Sequence, residues 1–195
     1  RTGFPVFVMS NFSAAFGYTF DIVPVKNSLI TDFSAAPAFS GSQVASTAAI
    51  TYSAGVISVD AVAEPMTDAG DFFRLTGLTA ASLETETGSE EIYTYDDATS
   101  GFNQAVATTK SFEIALAGIA DFGDAAYKTL RLVEQNTVAD GLRVAFKRVG
   151  PTGTTEEITG YGTLTGFTES NEVSSIVSWE CTLTGYGPYN LTLQA

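Results

Sequence analysis

The sequence predicts a mainly β protein in which a single α-helix covers part of a sheet. The first observation is that apolar and polar residues alternate in several segments, as in strands that bury one face. The second is that one segment, at about residues 124–136, places apolar residues at convincing helical spacing. The third is that clusters of Gly, Pro, Ser and Asp separate these segments, as they do at turns. The 195 residues predict a single domain.

The first half of the chain predicts extended structure. Residues 1–31 mix aromatic residues with Gly, Ser and Pro, so we interpret them as an extended arm or as edge strands. Residues 47–62 contain two alternating stretches and predict a hairpin. Residues 71–91 alternate poorly, and their pattern favours no secondary structure. Residues 90–97 predict a short strand, and residues 98–109 predict a loop.

The second half predicts strands on both sides of the helix. The alternation of residues 111–116 indicates a strand with Glu113 on its polar face. Asp124 is a suitable N-cap for the helix, and Asn136 is suitable for its end. Residues 142–149 predict the next strand, in which three apolar residues oppose basic ones.

The longest alternating segment is the stretch of residues 173–184. One parity is mostly apolar and includes Trp179 and Cys181, whereas the other is small, hydroxyl-rich and carries Glu180. Such a strand packs a core with one face. Its polar face fits either an ordinary solvated surface or the wall of a wet channel.

The composition excludes several classes of function. With 22 acidic and 9 basic residues the formal net charge is −13, which repels nucleic acid and anionic membranes. Histidine is absent, which removes the usual general base and the commonest transition-metal ligand. The single cysteine, Cys181, lies on an apolar parity and is expected to be buried. No apolar run approaches the roughly 20 residues of a membrane span, and the first residues lack the order of a signal peptide, so we expect a soluble protein.

No catalytic site, cofactor or metal site is predicted. Paired carboxylates lie in turn-like segments, where solvated loops are the favoured interpretation. The acids of residues 96–97 with Asp121 and Asp124 lack the ligand pattern of an EF-hand. The glycines of residues 160–166 lack a dinucleotide-binding pattern, and we interpret them as bends or close approaches in a strand.

A series of segments in a fixed order covers a little over half of the chain, from Thr85 to the C-terminus. The segments are EEIYTYDDATSGF, KSFEIALAG, ADFGDAAYKTLRLVEQ, LRVAFKRVGPTG, YGTLTGFTES and VSSIVSWECTLTGYGPY. In this order they resemble the major tail protein, or tail tube protein, of long-tailed bacteriophages. The part of the chain that matches best is residues 71–195.

The resemblance implies a structural virion protein. Its expected fold is a β-sandwich or partial barrel with one flanking helix, which assembles into a hexameric ring with a continuous β-barrel lumen. Stacked rings would form the tail tube through which double-stranded DNA passes, without specific binding, into the host. The expected partners are further copies of the chain and other tail proteins: the terminator, the baseplate or tip, the tape measure and, in sheathed tails, the sheath. The expected location is the virion tail, assembled in the host cytoplasm, with no membrane contact.

Two sets of residues are candidates for roles in such a tube. The polar parity of the strands predicts a set that faces the lumen, where acidic groups keep DNA from sticking: Glu113, Ser174, Ser178, Glu180, Thr182 and Thr184. Exposed aromatic and basic residues predict a set at contacts between subunits: Phe4, Phe7, Phe12, Phe102, Arg143 and Lys147. The N-terminal arm and the loop at residues 99–109 are the candidates for contacts between rings.

Three alternatives remain open. A capsid-decorating or surface-layer module shares the acidic, cysteine-poor, β-rich composition. An immunoglobulin-like or lectin-like binding module would use exposed tyrosines, namely Tyr93, Tyr95 and Tyr161. An acid-dependent glycosidase would use one of the carboxylate pairs.

Overall fold

The computed structural model describes residues 17–26, 37, 39, 50–53, 56–59, 72–92, 104–138, 141–151, 156–171 and 176–193. In these ranges the chain forms ten strands and one helix. In chain order they are β1 (Thr19–Lys26), β2 (Ile50–Ser53), β3 (Val56–Val59), β4 (Phe73–Arg74), β5 (Leu78–Ile92), β6 (Gln104–Ile119), α1 (Ala125–Asn136), β7 (Leu142–Val149), β8 (Glu156–Ser170), β9 (Ser178–Gly185) and β10 (Asn190–Leu193).

Eight strands form one antiparallel sheet in the order β4-β1-β7-β8-β9-β6-β5, with β10 paired to β8. β2 and β3 form a separate hairpin. The long strand β8 belongs to both halves of the sheet, because β7 pairs with it only as far as Gly162 and β9 pairs with it from Gly162 to Ser170. β1 lies between β4 and β7, so Thr19 pairs with Val149.

The sheet is strongly curled. β4 and β5 lie at opposite edges, yet only residues 75–77 separate them in the chain. Three linking residues span at most about 14 Å between flanking Cα atoms, so the two edges approach each other at this corner. Backbone bonds fix the link on both sides, from Leu75 N to Phe20 O and from Ile119 N to Gly77 O, each 2.9 Å long.

The concave side of the curled sheet holds the main core, and α1 packs into it. Phe20, Ile114, Phe146 and Leu183 are fully buried there, together with Trp179. The Trp179 indole stacks on the Phe167 ring at 6.2 Å between centroids and donates from Nε1 to Ile119 O at 3.2 Å. The strands alternate because only one of their faces reaches this core.

The helix begins where the sequence predicts. Asp124 is its N-cap, and the Oδ1 atom accepts from Ala126 N at 3.0 Å. The Oδ2 atom accepts from Thr76 Oγ1 at 2.7 Å and from Thr76 N at 3.1 Å, which attaches the helix start to the β4–β5 link. Asn136 is the last residue of the helix, as predicted.

A smaller apolar cluster covers the convex side of β1, β7 and the first half of β8. It contains the buried residues Val23, Val25, Ala145 and Tyr161 and the half-buried residues Phe39, Phe72 and Tyr186. This half of the sheet is therefore buried on both faces. Beside it, the carboxylate of Asp21 is 2% exposed and accepts two bonds from Arg74, at 2.8 and 3.1 Å. This carboxylate raises the pKa of Arg74.

Several sequence predictions are confirmed. β2 and β3 form the predicted hairpin, and Cys181 is buried, which raises the pKa of its thiol to about 12. Gly166 has φ +62° and lies in a bulge of β8, and a Cβ on Gly160 would lie 3.0 Å from the Phe146 ring, so these glycines do serve a bend and a close approach.

Other predictions were wrong. Residues 104–109 belong to β6 and are not a loop, because they pair with the second half of β5. The strand predicted over residues 173–184 begins only at Ser178 among the described residues. Tyr161 is buried in the smaller cluster, so it is not an exposed recognition side chain. Tyr93 and Tyr95 lie outside the described residues.

Candidate functional site

On the other half of the sheet, formed by β5, β6, β9 and the second half of β8, the side that faces away from the main core is open to solvent. On β9 the side chains alternate between the core and this open side: Trp179, Cys181 and Leu183 are buried, whereas Ser178 and Glu180 are exposed. β6 repeats this pattern, with Glu113 exposed between buried neighbours. The register of the four strands therefore aligns the side chains of this open side in rows that cross β5, β6, β9 and β8.

The cross-strand partners define these rows of side chains. Glu84, Glu113, Thr184 and Thr163 form one row across the four strands. The next row is Ser82, Ala115, Thr182 and Thr165, and the one after it is Ala80, Ala117, Glu180 and Thr168. We call this surface the acidic face. It consists of the side chains in these three rows and of Glu86, which pairs with Ser111.

The charge on the acidic face has one sign only. Glu84, Glu86, Glu113 and Glu180 lie on it, and among the residues of these strands that the structure describes no Lys or Arg shares it. Lys110, the one basic residue of the four strands in that range, has the opposite parity. Glu84 and Glu113 are direct cross-strand partners, an arrangement that destabilises a sheet.

A shallow depression of about 320 Å³ lies in the acidic face. Small residues of β5 and β6, namely Ala80, Ser82, Ala115 and Ala117, line it together with Glu180. On the same face, the Thr165 hydroxyl contacts a backbone carbonyl and a second hydroxyl: Thr165 Oγ1 lies 3.3 Å from Thr182 O and 3.4 Å from Thr184 Oγ1. The surface is negatively charged and carries small and hydroxyl-bearing side chains.

The structure brings most of the first predicted set together. Five of its members lie on the polar face of the paired strands β6 and β9: Glu113, Ser178, Glu180, Thr182 and Thr184. Ser174 lies outside the described residues. Sequence reasoning missed Glu84 and Glu86, whose strand carried no recognised pattern. Residues 83–87 read Leu-Glu-Thr-Glu-Thr, which places both Glu side chains on one face of a strand but shows no alternation of apolar and polar residues that would predict the strand.

The second predicted set is only partly described. Phe4, Phe7, Phe12 and Phe102 lie outside the described residues. Lys147 Nζ lies 3.2 Å from Glu157 Oε2, and the Arg143 guanidinium packs over the Tyr186 ring at 5.0 Å and donates to Thr137 O at 3.3 Å. Both cations thus have partners within the chain, and their role between subunits stays a prediction.

The described residues show no arrangement for metal binding or for membrane crossing. They contain no group of three or more Cys, Asp or Glu side chains placed to hold an ion. Asp121 and Asp124 are used in the turn and the cap before α1, and residues 96–97 lie outside the described ranges. The helix found in those ranges is too short to cross a bilayer.

Comparison with known proteins gives structural neighbours only. No protein-family model matches the chain, and no curated protein does. A chain in the tail of an empty gene transfer agent particle, reconstructed with C6 symmetry, is 17% identical over 65% of this chain and 88% of its own length, with a TM-score of 0.51. A chain of the native particle is 16% identical over 62% of this chain and 88% of its own, with a TM-score of 0.51.

A third neighbour covers more of the chain. It belongs to the baseplate of the anti-feeding prophage and is 6% identical over 90% of this chain and 92% of its own length, with a TM-score of 0.52. At sequence identities this low, the structural similarity shows a shared fold only. The resemblance to phage tail proteins noted in the sequence is therefore confirmed at the level of the fold, and these neighbours are structural components of particles.

Proposed function

We propose that this chain is the structural subunit of a phage-type tail tube, in which six copies form a ring and stacked rings enclose a lumen for duplex DNA. The observation that carries the proposal is the acidic face, a wide surface of one charge sign on an otherwise ordinary sheet. The fold shared with a tail of C6 symmetry supports six copies in each ring. On this proposal the whole chain is one tail-tube domain that acts in the virion tail.

The edges of the four-stranded half-sheet suit the closure of a ring. β5 lies at one edge of the sheet. At the other edge of this half, the part of β8 after Gly162 has no strand beyond it among the described residues. An open strand edge presents unpaired N–H and C=O groups and is a template for pairing with another chain. β5 of one copy and the second half of β8 of the next would join the half-sheets into a continuous barrel.

The dimensions of such a barrel fit its proposed cargo. Six copies of four strands make 24 strands. At about 4.8 Å between neighbouring strands the circumference is about 115 Å, and the diameter across the backbone is about 37 Å before strand tilt widens it. A lumen of this width has room for a DNA duplex and a layer of water.

The charge of the acidic face suits passage without binding. Proteins hold DNA through Lys and Arg contacts that release counterions, and a wall without such contacts leaves the duplex free to slide. In the proposed tube the lumen-facing set of residues is Glu113, Ser174, Ser178, Glu180, Thr182 and Thr184, joined by Glu84 and Glu86. The proposed partners are further copies, the other tail proteins and DNA that passes without specific contacts.

The direct test is negative-stain electron microscopy of the purified chain over a concentration series. We expect hollow rods or six-fold rings whose lengthwise growth increases with concentration. Closed trimers or flat lattices would contradict the tube and favour a decorating or surface-layer module.

The baseplate neighbour, which matches 90% of the chain, supports a second candidate function. In a baseplate the same fold would form a closed ring that does not repeat along an axis. Six-fold rings that never lengthen, even at the highest concentration, would favour this candidate over the tube.

Reversing one charge on the acidic face is expected to make the tube retain DNA. Glu180→Lys places a ring of ammonium groups in the proposed lumen, so assembled tubes should bind duplex DNA at about 50 mM salt and release it as salt rises. The matched control is Glu134→Lys, which makes the same charge change on the exposed side of α1. Equal DNA retention by the two variants in a sedimentation assay would contradict the placement of Glu180 in the lumen.

A further inference from the structure

An apolar patch lies at one end of the half-sheet that carries the acidic face. Its three members are exposed large side chains: Ile119 at the end of β6 is 42% exposed, Phe122 is 55% exposed, and Ile176 is 71% exposed. The bond from Ala120 N to Val177 O, 2.9 Å long, holds the two chain segments that carry them side by side. We call these residues the end patch. The Phe122 ring rests edge to face on Tyr127 at 5.6 Å, so its other side is the one open to a partner. Exposed apolar side chains at one end of a sheet suit a contact surface.

A groove lies at the opposite end of the same half-sheet. Its volume is about 670 Å³, and the residues that shape it are Lys110, Phe112, Pro188, Tyr189 and Leu191. The Phe112 and Tyr189 rings meet edge to face at 5.1 Å. We call this the aromatic groove. Its volume is within the usual range of binding pockets, so it has room for a large side chain.

The two ends also differ in charge. Lys110 Nζ lies 5.2 Å from the centroid of the Tyr189 ring, and no carboxylate pairs with it among the residues described. At the other end, exposed Asp121 directly precedes Phe122, and its Oδ1 atom accepts from Gly123 N at 2.8 Å. The groove therefore has a cation at its mouth, and the end patch has an anion beside its aromatic residue.

These two surfaces cannot meet within one chain. Lys110 and Ile119 lie on the same extended strand, nine residues apart, which corresponds to about 30 Å. Two different, complementary surfaces at opposite ends of a molecule form a heterologous contact, and repetition of such a contact produces an open chain of copies.

We propose that the aromatic groove is the docking site for a second copy of this chain, which inserts Phe122 between Tyr189 and Leu191 and places Asp121 against Lys110. The apolar members give the contact its buried area, and the ion pair fixes its orientation. The inference rests on the proposed function in one respect, since it supplies the contact by which successive copies join end to end.

Charge exchange tests this contact. Lys110→Glu sets two acids against each other, and Asp121→Lys sets two cations against each other, so each should raise the apparent Kd of self-association at least about tenfold in sedimentation velocity. The double variant, Lys110→Glu with Asp121→Lys, restores opposite charges and should recover most of the association. Lys110→Arg and Glu134→Lys are controls that keep the contact. Asp121→Asn keeps the acceptor for Gly123 N and loses only the charge, so a weaker association in this variant does not reflect a damaged turn.

The outcomes separate the two proposals. The inference is overturned if the single charge reversals associate as the unchanged chain does, if the double variant stays dissociated while its tryptophan fluorescence is native, or if the unchanged chain never associates. Hollow rods that form equally well in all the charge variants would support the tube and contradict this contact. Oligomers without a lumen, whose formation is lost in the single charge reversals and recovered in the double variant, would support the contact and contradict the tube.

Discussion

Trp179→Ala is expected to lower the free energy of unfolding by about 3–5 kcal/mol, the usual cost of removing a large aromatic residue from a core. Trp179 is 1% exposed and lies among Tyr127, Phe167 and Gly118. A Cβ on Gly118 would lie 2.7 Å from the indole, so the space around the ring is shaped closely to it. Neighbours that are this tightly arranged around one ring collapse poorly into the cavity that its removal leaves.

Chemical denaturation measures this effect. Unfolding is followed by circular dichroism and not by tryptophan fluorescence, because the variant no longer contains a tryptophan. Val138→Ala is the control, since that side chain is 95% exposed and its truncation should cost about 0.5 kcal/mol or less. A cost below about 1 kcal/mol for Trp179→Ala would show that the core around β9 repacks freely, against the arrangement described above.

Arg74→Met is expected to destabilise the chain by about 2–4 kcal/mol. The variant leaves the Asp21 carboxylate buried without its guanidinium partner, and breaking a buried pair from one side is much more costly than the pair itself is worth. The Arg74 side chain is 40% exposed, so water that reaches the vacated position reduces the cost below that of a fully buried pair.

The comparison variant is Lys147→Met, which breaks the more exposed pair with Glu157 and should cost about 1 kcal/mol or less. Asp21→Leu combined with Arg74→Met removes both charges and should recover part of the loss in the same denaturation experiment. If Arg74→Met and Lys147→Met have equal effects, the Asp21 site is better hydrated than its 2% exposure indicates.

The parts of the fold that could be predicted are those in which one chain segment contains the whole signal. The helix is an example, because Asp124 caps it locally and its buried residues recur along a single face. β9 is another, since Trp179, Cys181 and Leu183 show its core face without reference to any other strand. Burial against a core imposes such alternation.

The parts that could not be predicted lack that burial. The end of β5 and the start of β6 form a hairpin that extends past β9, and residues 84–87 and 107–111 are exposed on both faces. With no core to reach, these residues need no alternation, and cross-strand pairing alone holds them as strands. The acidic face was therefore found on β6 and β9 and missed on β5. Its rows depend on a register between strands that no single segment reveals.

The position of β1 between β4 and β7 has a consequence for how the chain folds during synthesis. Phe20 and Ile22 enter the core only when β1 pairs with β7, so the ribosome must first make every residue between them. Contacts of such long sequence separation form slowly, because a large loop must close before they add stability. During that delay the first strand exposes its apolar side chains, whereas the β5–β6 hairpin, whose contacts are more local, can form earlier.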